Sequence, residues 1–205
     1  MGLFATTYFG NIDYFAHAIR SESVIIESNE NFIKQTYRNR CSIVTANGVM
    51  DLIVPVVKMS GKKSKITETK IDYSTRWQSI HERSIIAAYK NAAYFEHYFD
   101  IFEPLLTHRY ETLFELNMES LKCVKKALKI DFKTTFTAQY EPYREDKEDY
   151  RYTITPKIVA DKERFPFYYQ VFSEKMEFIH NVSILDLIFC EGNGTLEYLK
   201  RVRER

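Results

Sequence analysis

The change of hydrophobic period near residue 75 does most to limit how this chain can fold. Up to Ser74 the apolar residues come in short β-branched runs separated by turn residues; beyond Arg76 they recur every three or four positions. "LFATTYF" is a short β-rich run broken at Gly10-Asn11. "IDYFAHAIRS" follows with Ile12, Phe15, Ala16 and Ile19 at helical spacing, and "SVIIES" suits a buried strand. This β–α–β opening makes the first two strands neighbours. "RCSIVTANGVMDLIVPVV" predicts a hairpin turning at Asn47-Gly48, with Pro55 at a strand end or sheet edge. "MSGKKSK" reads as a solvated turn and "ITETKIDY" as one more strand, which makes about five strands and one helix before residue 75.

Beyond that point Trp77, His81, Ser84, Ile85 and Ala88 share one face of a helix capped at Ser74 or Thr75. "NAAYFEHYFDIFEPLL" continues with helical or turn character and is broken near Pro104. The clearest helix is "LTHRYETLFELNMESLKCVKKALKI". Its apolar line runs Leu106, Tyr110, Leu113, Asn117, Leu121, Val124 and Leu128, and Lys125, Lys126 and Lys129 lie where cations suit the helix dipole. Residues 131–166 are charged and proline-bearing, and read as a surface loop or lid with one short strand, "YRYTI". Phe172, Met176, Ile179, Val182 and Leu185 make residues 167–205 a C-terminal helical segment, with a turn at Gly192-Asn193-Gly194 and a last short helix from Thr195. The expectation is one α+β domain over residues 1–205: a small mixed sheet in the strand-rich part (1–75), packed on a helical C-terminal half that begins at 76–130.

Charge and cysteine usage exclude several classes. Lys+Arg 29 against Asp+Glu 28 gives net +1, without the basic excess of a phosphate-tracking nucleic-acid binder. Cys41, Cys123 and Cys190 are far apart with no CxxC spacing, so neither a disulfide framework nor a zinc site is indicated, and a reducing, cytoplasmic setting fits best. The start has no basic n-region, and no run approaches 18 apolar residues, so neither a signal peptide nor a membrane span is expected. His17, His97, His108 and His180 form no HxH or HExxH set, which gives a metal site no support. Tyr 15 and Phe 15 supply either an aromatic-rich core or a pocket that stacks on sugar or base rings.

The stretch "FIKQTYRNRCSIVTANG" gathers Lys34, Arg38, Asn39, Arg40 and Cys41 at the mouth of a strand. If it is extended, Arg38 and Arg40 share a face and could grip one phosphate or carboxylate, with Asn39 and Cys41 on the other. The plain alternative is a strand whose outer face is solvated by arginines. Cys41 is either a thiol activated by a cation and a base such as His81, or a small buried hydrophobe. His81, one turn after Trp77, is either a general base or a buried, satisfied histidine. Asn117 interrupts the best apolar stripe; it either ties a core network or faces a cavity.

In this order, "YFGNIDYF", "ENFIKQTYRNRCSIVTANG", "LIVPV", the "IDYS" to "WQSIHERSIIAAYKNAAYFEHY" segment and "LFELN" resemble the WbqC-like family, over most of residues 5–130. "LDLIFCEGNGTLEYL" is similar to that family's C-terminal end. The version found in Bacteroidetes-type bacteria is the best likeness. The resemblance implies a link to O-antigen and surface-polysaccharide gene clusters, and a cytoplasmic protein that modifies an activated sugar, by acyl or aminoacyl transfer to a sugar amine. The family's recurrent Asn-Arg, Trp, His and Tyr fall on Asn39-Arg40, Trp77, His81 and Tyr89, and imply one shared cluster. Its Gln-Pro element is replaced by Thr6-Thr7, which implies a different substrate if that element binds one. The expected roles are His81 as base, Asn39 orienting an acyl or hydroxyl oxygen, Lys34, Arg38 and Arg40 on the anionic part of the activated sugar (a nucleotide-sugar or other anionic small molecule), Trp77 stacking the ring, and Tyr89 as a further substrate-binding residue. The alternative is a non-catalytic module or partner protein that recognises an anionic ligand. Which cofactor is used is left open by the residues and by the resemblance.

Overall fold

The computed structural model describes residues 1–57, 64–142 and 148–204. The fold is α+β. β1 (Gly2–Phe4), α1 (Ile12–Arg20) and β2 (Ser23–Ile26) form the expected opening, and β1 and β2 pair in parallel with Leu3 beside Ile25. Asn11 starts α1 by accepting a hydrogen bond from the Tyr14 N–H at 3.0 Å. The hairpin of β3 (Arg40–Thr45) and β4 (Gly48–Ile53) is also present. Its loop is Ala46 and Asn47, with Gly48, at φ +104°, pairing with Thr45; the turn is therefore one residue earlier than expected.

The mixed character divides between two sheets. The parallel sheet is completed by β5 (Lys133–Phe136), in the order β1-β2-β5, and the hairpin stands apart. Residues 66–71 do not make a strand. Ile66–Glu68 is a single 3-10 turn, and the segment keeps only isolated bridges at Lys70 and Ile71. The alternating pattern that suggested a strand buries Ile66, Thr69 and Ile71 with no long partner to pair with. The expected turn at residues 59–65 falls largely outside the described residues.

The helices are α2 (Trp77–Tyr89), α3 (Phe95–Thr107), α4 (Leu113–Leu128), α5 (Ile184–Glu191) and α6 (Thr195–Arg201). Arg76, not Ser74 or Thr75, occupies the position before α2. Pro104 sits inside α3 rather than ending it. α4 begins with a reciprocal cap: Thr112 Oγ1 accepts from the Glu115 N–H, and Glu115 accepts from the Thr112 N–H. Two expectations for the last third fail. "YRYTI" forms turns, and β5 lies earlier. Residues 165–183 are irregular, so the helical segment begins only at Ile184. Residues 172–182 present their apolar side chains to the core from turns, which mimics helical spacing.

The buried side chains form one cluster. Phe4, Val24 and Ile26 feed it from the parallel sheet, and Cys41, Ile43 and Leu52 from the hairpin. α5 passes through it with Ile184, Leu185, Asp186, Leu187, Ile188 and Phe189 all buried, against α1, α3, α4 and β3. The loops that leave β1 and β2 at their carboxyl ends, residues 5–11 and 27–39, carry most of the polar side chains discussed below.

Candidate functional site

The hairpin does bring the "RNR" segment against α2, but its cations do not meet at one point. Arg38 is 3% exposed and clamps the buried Glu30, with Nε to Oε1 at 2.7 Å and Nη2 to Oε2 at 2.5 Å. Arg40 faces the hairpin's outer side and pairs with Asp51 at 3.0 Å; Ser42 donates to the same carboxylate at 2.6 Å. Lys34 is exposed on the preceding loop. Asn39 is buried and donates to the Val54 carbonyl at 2.9 Å, which fastens the two ends of the hairpin. Its Oδ1 has no hydrogen-bond partner among the described residues.

His81 and Trp77 lie together behind this segment. Trp77 meets the imidazole edge-on at 5.0 Å, and both residues are 3% exposed. His81 Nδ1 stands 3.0 Å from the hydroxyl of Tyr8, and the Ile53 carbonyl bonds the ring. Burial lowers the His81 pKa to about 4, although the Ile53 carbonyl pulls it upward. The ring is therefore neutral near pH 7. Nδ1 is thus engaged by the Tyr8 hydroxyl. Tyr89 stands two turns, roughly 12 Å, along α2 from His81. Its hydroxyl accepts from the Val44 N–H at 3.1 Å and donates to Asp186 at 3.0 Å. Asn39, Arg40, His81 and Tyr89 thus surround the hairpin but hold separate partners. Cys41 is buried in β3, and burial pushes its thiol pKa well up, as fits the hydrophobe reading. Asn117 ties a core network: its amide donates to Thr6 Oγ1 at 3.0 Å and to the Arg38 carbonyl at 2.8 Å. Thr7 donates to the Tyr37 carbonyl at 3.2 Å, so Thr6-Thr7 fastens the loop after β1 to the loop after β2.

A dense cluster of buried charge lies at the carboxyl ends of β2 and β5. Arg151 is 1% exposed. It forks onto Asp149, with Nε to Oδ1 at 2.9 Å and Nη2 to Oδ2 at 2.6 Å, and reaches Glu27 through Nη1 at 2.8 Å. Tyr140 and Tyr152 lie within 5.5 Å and 5.4 Å of its guanidinium, and their hydroxyls are 3.0 Å apart. Burial works against the Arg151 charge, and the Asp149 and Glu27 carboxylates outweigh it and hold the pKa up. Glu27 also accepts from the Asn29 N–H and from Thr137 Oγ1, both at 2.8 Å. The sequence pattern does not reveal this centre. Asp149 and Arg151 lie within a charged stretch that reads as solvated, and only Glu27, a carboxylate closing the apolar run "SVII", hints at a buried charge.

Beside this network the outer face of the parallel sheet opens into a cleft of about 560 Å³. Leu3, Ile25 and Thr135, adjacent in register, form its floor. Thr137, Gln139, Glu141 and Glu148 stand around it, and Phe136 lines its β5 edge. The volume suits one small ligand. Among the described residues no group of three metal-binding side chains occurs, and no helix is long and apolar enough to cross a membrane.

Comparison with known proteins adds two matches. The model of the WbqC-like protein family matches residues 6–164. The uncharacterised protein Rv1507c of Mycobacterium tuberculosis is 31% identical over 121 residues, which cover 58% of this chain and 52% of that protein. The chain thus spans about half the length of the curated relative it matches. No solved structure gives a significant match.

Proposed function

The chain belongs to the WbqC-like protein family, and from that premise we propose that it serves cell-surface polysaccharide biosynthesis by binding a sugar in the cleft on the outer face of its parallel sheet. The resemblance supplies the biosynthetic setting. The observation that carries the binding reading is the cleft itself: an apolar floor of Leu3 and Ile25, bordered by the hydroxyl, amide and carboxylate groups of Thr135, Gln139 and Glu148. A pyranose has one apolar face and a rim of hydroxyls, which matches that division. The Glu27–Arg151–Asp149 network holds Thr137 and the strand ends behind it, so the polar groups are set before a ligand arrives.

This reading favours the binding module over base catalysis at His81, whose imidazole is buried, neutral near pH 7 and engaged at Nδ1 by Tyr8. It also moves the ligand away from Arg38 and Arg40, since each already has a carboxylate.

The test is thermal unfolding with a panel of free sugars, nucleotide-sugars and acyl donors, run on the protein and on Thr135→Trp, which fills the cleft. A ligand at ~100 times its Kd adds about 2.7 kcal/mol. A sugar-dependent shift that disappears in Thr135→Trp and persists in His81→Gln is the expected outcome. A shift that survives Thr135→Trp and disappears in Arg40→Ala would return the ligand to the hairpin.

A further inference from the structure

A second opening lies round the edge of the sheet. His108, Arg109, Tyr110, Glu111, Phe114 and Glu115, with Met118 and Glu119, line a groove of about 570 Å³ where the chain turns from α3 into α4. The two openings are not remote from each other. Phe114 lines the groove, Phe136 lines the cleft, and their rings are in contact, with centroids 5.8 Å apart and planes at 52°. Phe136 is 55% exposed and Phe114 half-buried. The ring pair forms a step on the β5 edge that joins the cleft to the groove.

We infer that the ligand is an oligosaccharide rather than a single sugar, seated with one unit in the sheet cleft and the chain continuing over the Phe114–Phe136 step into the groove beside α4. The inference rests on the sugar-binding reading above and extends it to substrate class. Three observations carry it. Each opening by itself is within the range that takes one small ligand, so the pair has room for more than one unit. The junction is aromatic, and a ring face receives the apolar face of a pyranose. The groove offers hydrogen-bonding side chains, including His108, Arg109, Tyr110 and Glu119, beside the Phe114 ring. It is firmly positioned: the Tyr73 hydroxyl donates to the Tyr110 carbonyl at 3.0 Å and accepts from its N–H at 2.9 Å, and Gln78 donates to the His108 carbonyl at 2.6 Å.

The experiment is titration calorimetry with size-fractionated O-antigen fragments of one to six sugar units. It uses the protein, Phe114→Ala, Phe136→Ala and Thr135→Trp, each variant first checked by thermal unfolding. The expected result is an affinity that rises at least tenfold between one and four units. Phe114→Ala removes that rise and leaves the single-unit affinity unchanged, Phe136→Ala removes the rise as well, and Thr135→Trp abolishes binding at every length. Phe136 is mostly exposed, so its variant tests the idea even if Phe114→Ala unfolds. Affinity independent of length, still abolished by Thr135→Trp, would overturn the oligosaccharide inference and leave the sugar reading standing. No binding at any length, or binding that Thr135→Trp does not affect, would overturn both.

Discussion

Arg151 and His81 show how differently a buried ionisable side chain can be held. Arg151 has two carboxylates within hydrogen-bond reach, so replacing it by Met leaves Glu27 and Asp149 charged, close together and out of water. Breaking a buried pair in this way costs roughly 3–5 kcal/mol, and urea denaturation of Arg151→Met is expected to show a loss of that size. His81 has no carboxylate partner, and burial lowers its pKa to about 4. In the unfolded chain it takes up a proton near 6.5, while the folded protein resists until about 4. Acidification across that window therefore favours unfolding, and the His81 contribution is complete only above pH 6.5. The difference amounts to about 3 kcal/mol at most. Stability measured at pH 4.5 and 7 should differ less in His81→Gln than in the parent, and an equal difference would mean that His81 is not shielded. Asp13 works in the same direction at lower pH. Burial pushes its carboxyl up, but hydrogen bonds from His17 and Arg164 and the Arg164 charge outweigh that and hold it well below the usual range.

Among the elements, those defined by their own residues were legible and those defined by distant partners were not. α1 and β2 carry their periodicity within the element, and so does α4 from Leu113 onward. The expected helix from Leu106 is divided: Leu106 lies in α3, and residues 108–112, Tyr110 among them, form the connection. The hairpin carries its turn chemistry. The 66–71 segment alternates like a strand, yet strand pairing needs an edge to pair with, and that edge is absent there. β5, "KTTF", has little hydrophobic signal, because three of its four residues are polar and it pairs on one side only. The junction of α5 and α6 tests an element-scale constraint. Gly192 has φ +53°, and a Cβ there would lie 2.5 Å from the Tyr94 ring. Gly192→Ala combines backbone strain with that clash. A loss of roughly 1–3 kcal/mol is expected, to be read from the urea midpoint; an unchanged midpoint would show that the junction relaxes freely.

On the scale of the whole molecule, the region matched by the family model and the region needed for a core do not coincide. The match ends at residue 164, whereas Asp186 on α5 is the point to which distant segments are tied. It accepts hydrogen bonds from Tyr89, from Tyr168 at 2.6 Å and from Gln170 at 2.9 Å. A fragment of residues 1–164 is therefore expected to show no cooperative melting transition by circular dichroism, and a sharp one would mean that the remaining core suffices. This scale also explains what the sequence withheld about the site. Glu27 lies more than a hundred positions from Asp149 and Arg151 and meets them only because β5 and the following segment return to β2. Lys34, Arg38 and Arg40 stand out in the sequence because they are adjacent, and adjacency says nothing about the carboxylates that fold onto two of them.

The burial of α5 on all sides has a consequence for the protein's birth. A ribosome emits the chain from its amino end at about 5–20 residues per second. The parallel sheet, the hairpin and α2 to α4 all emerge with a hollow where Leu185, Ile188 and Phe189 will lodge. The nascent polypeptide thus displays the lining of its own interior for several seconds, an interval in which that apolar surface is open to aggregation.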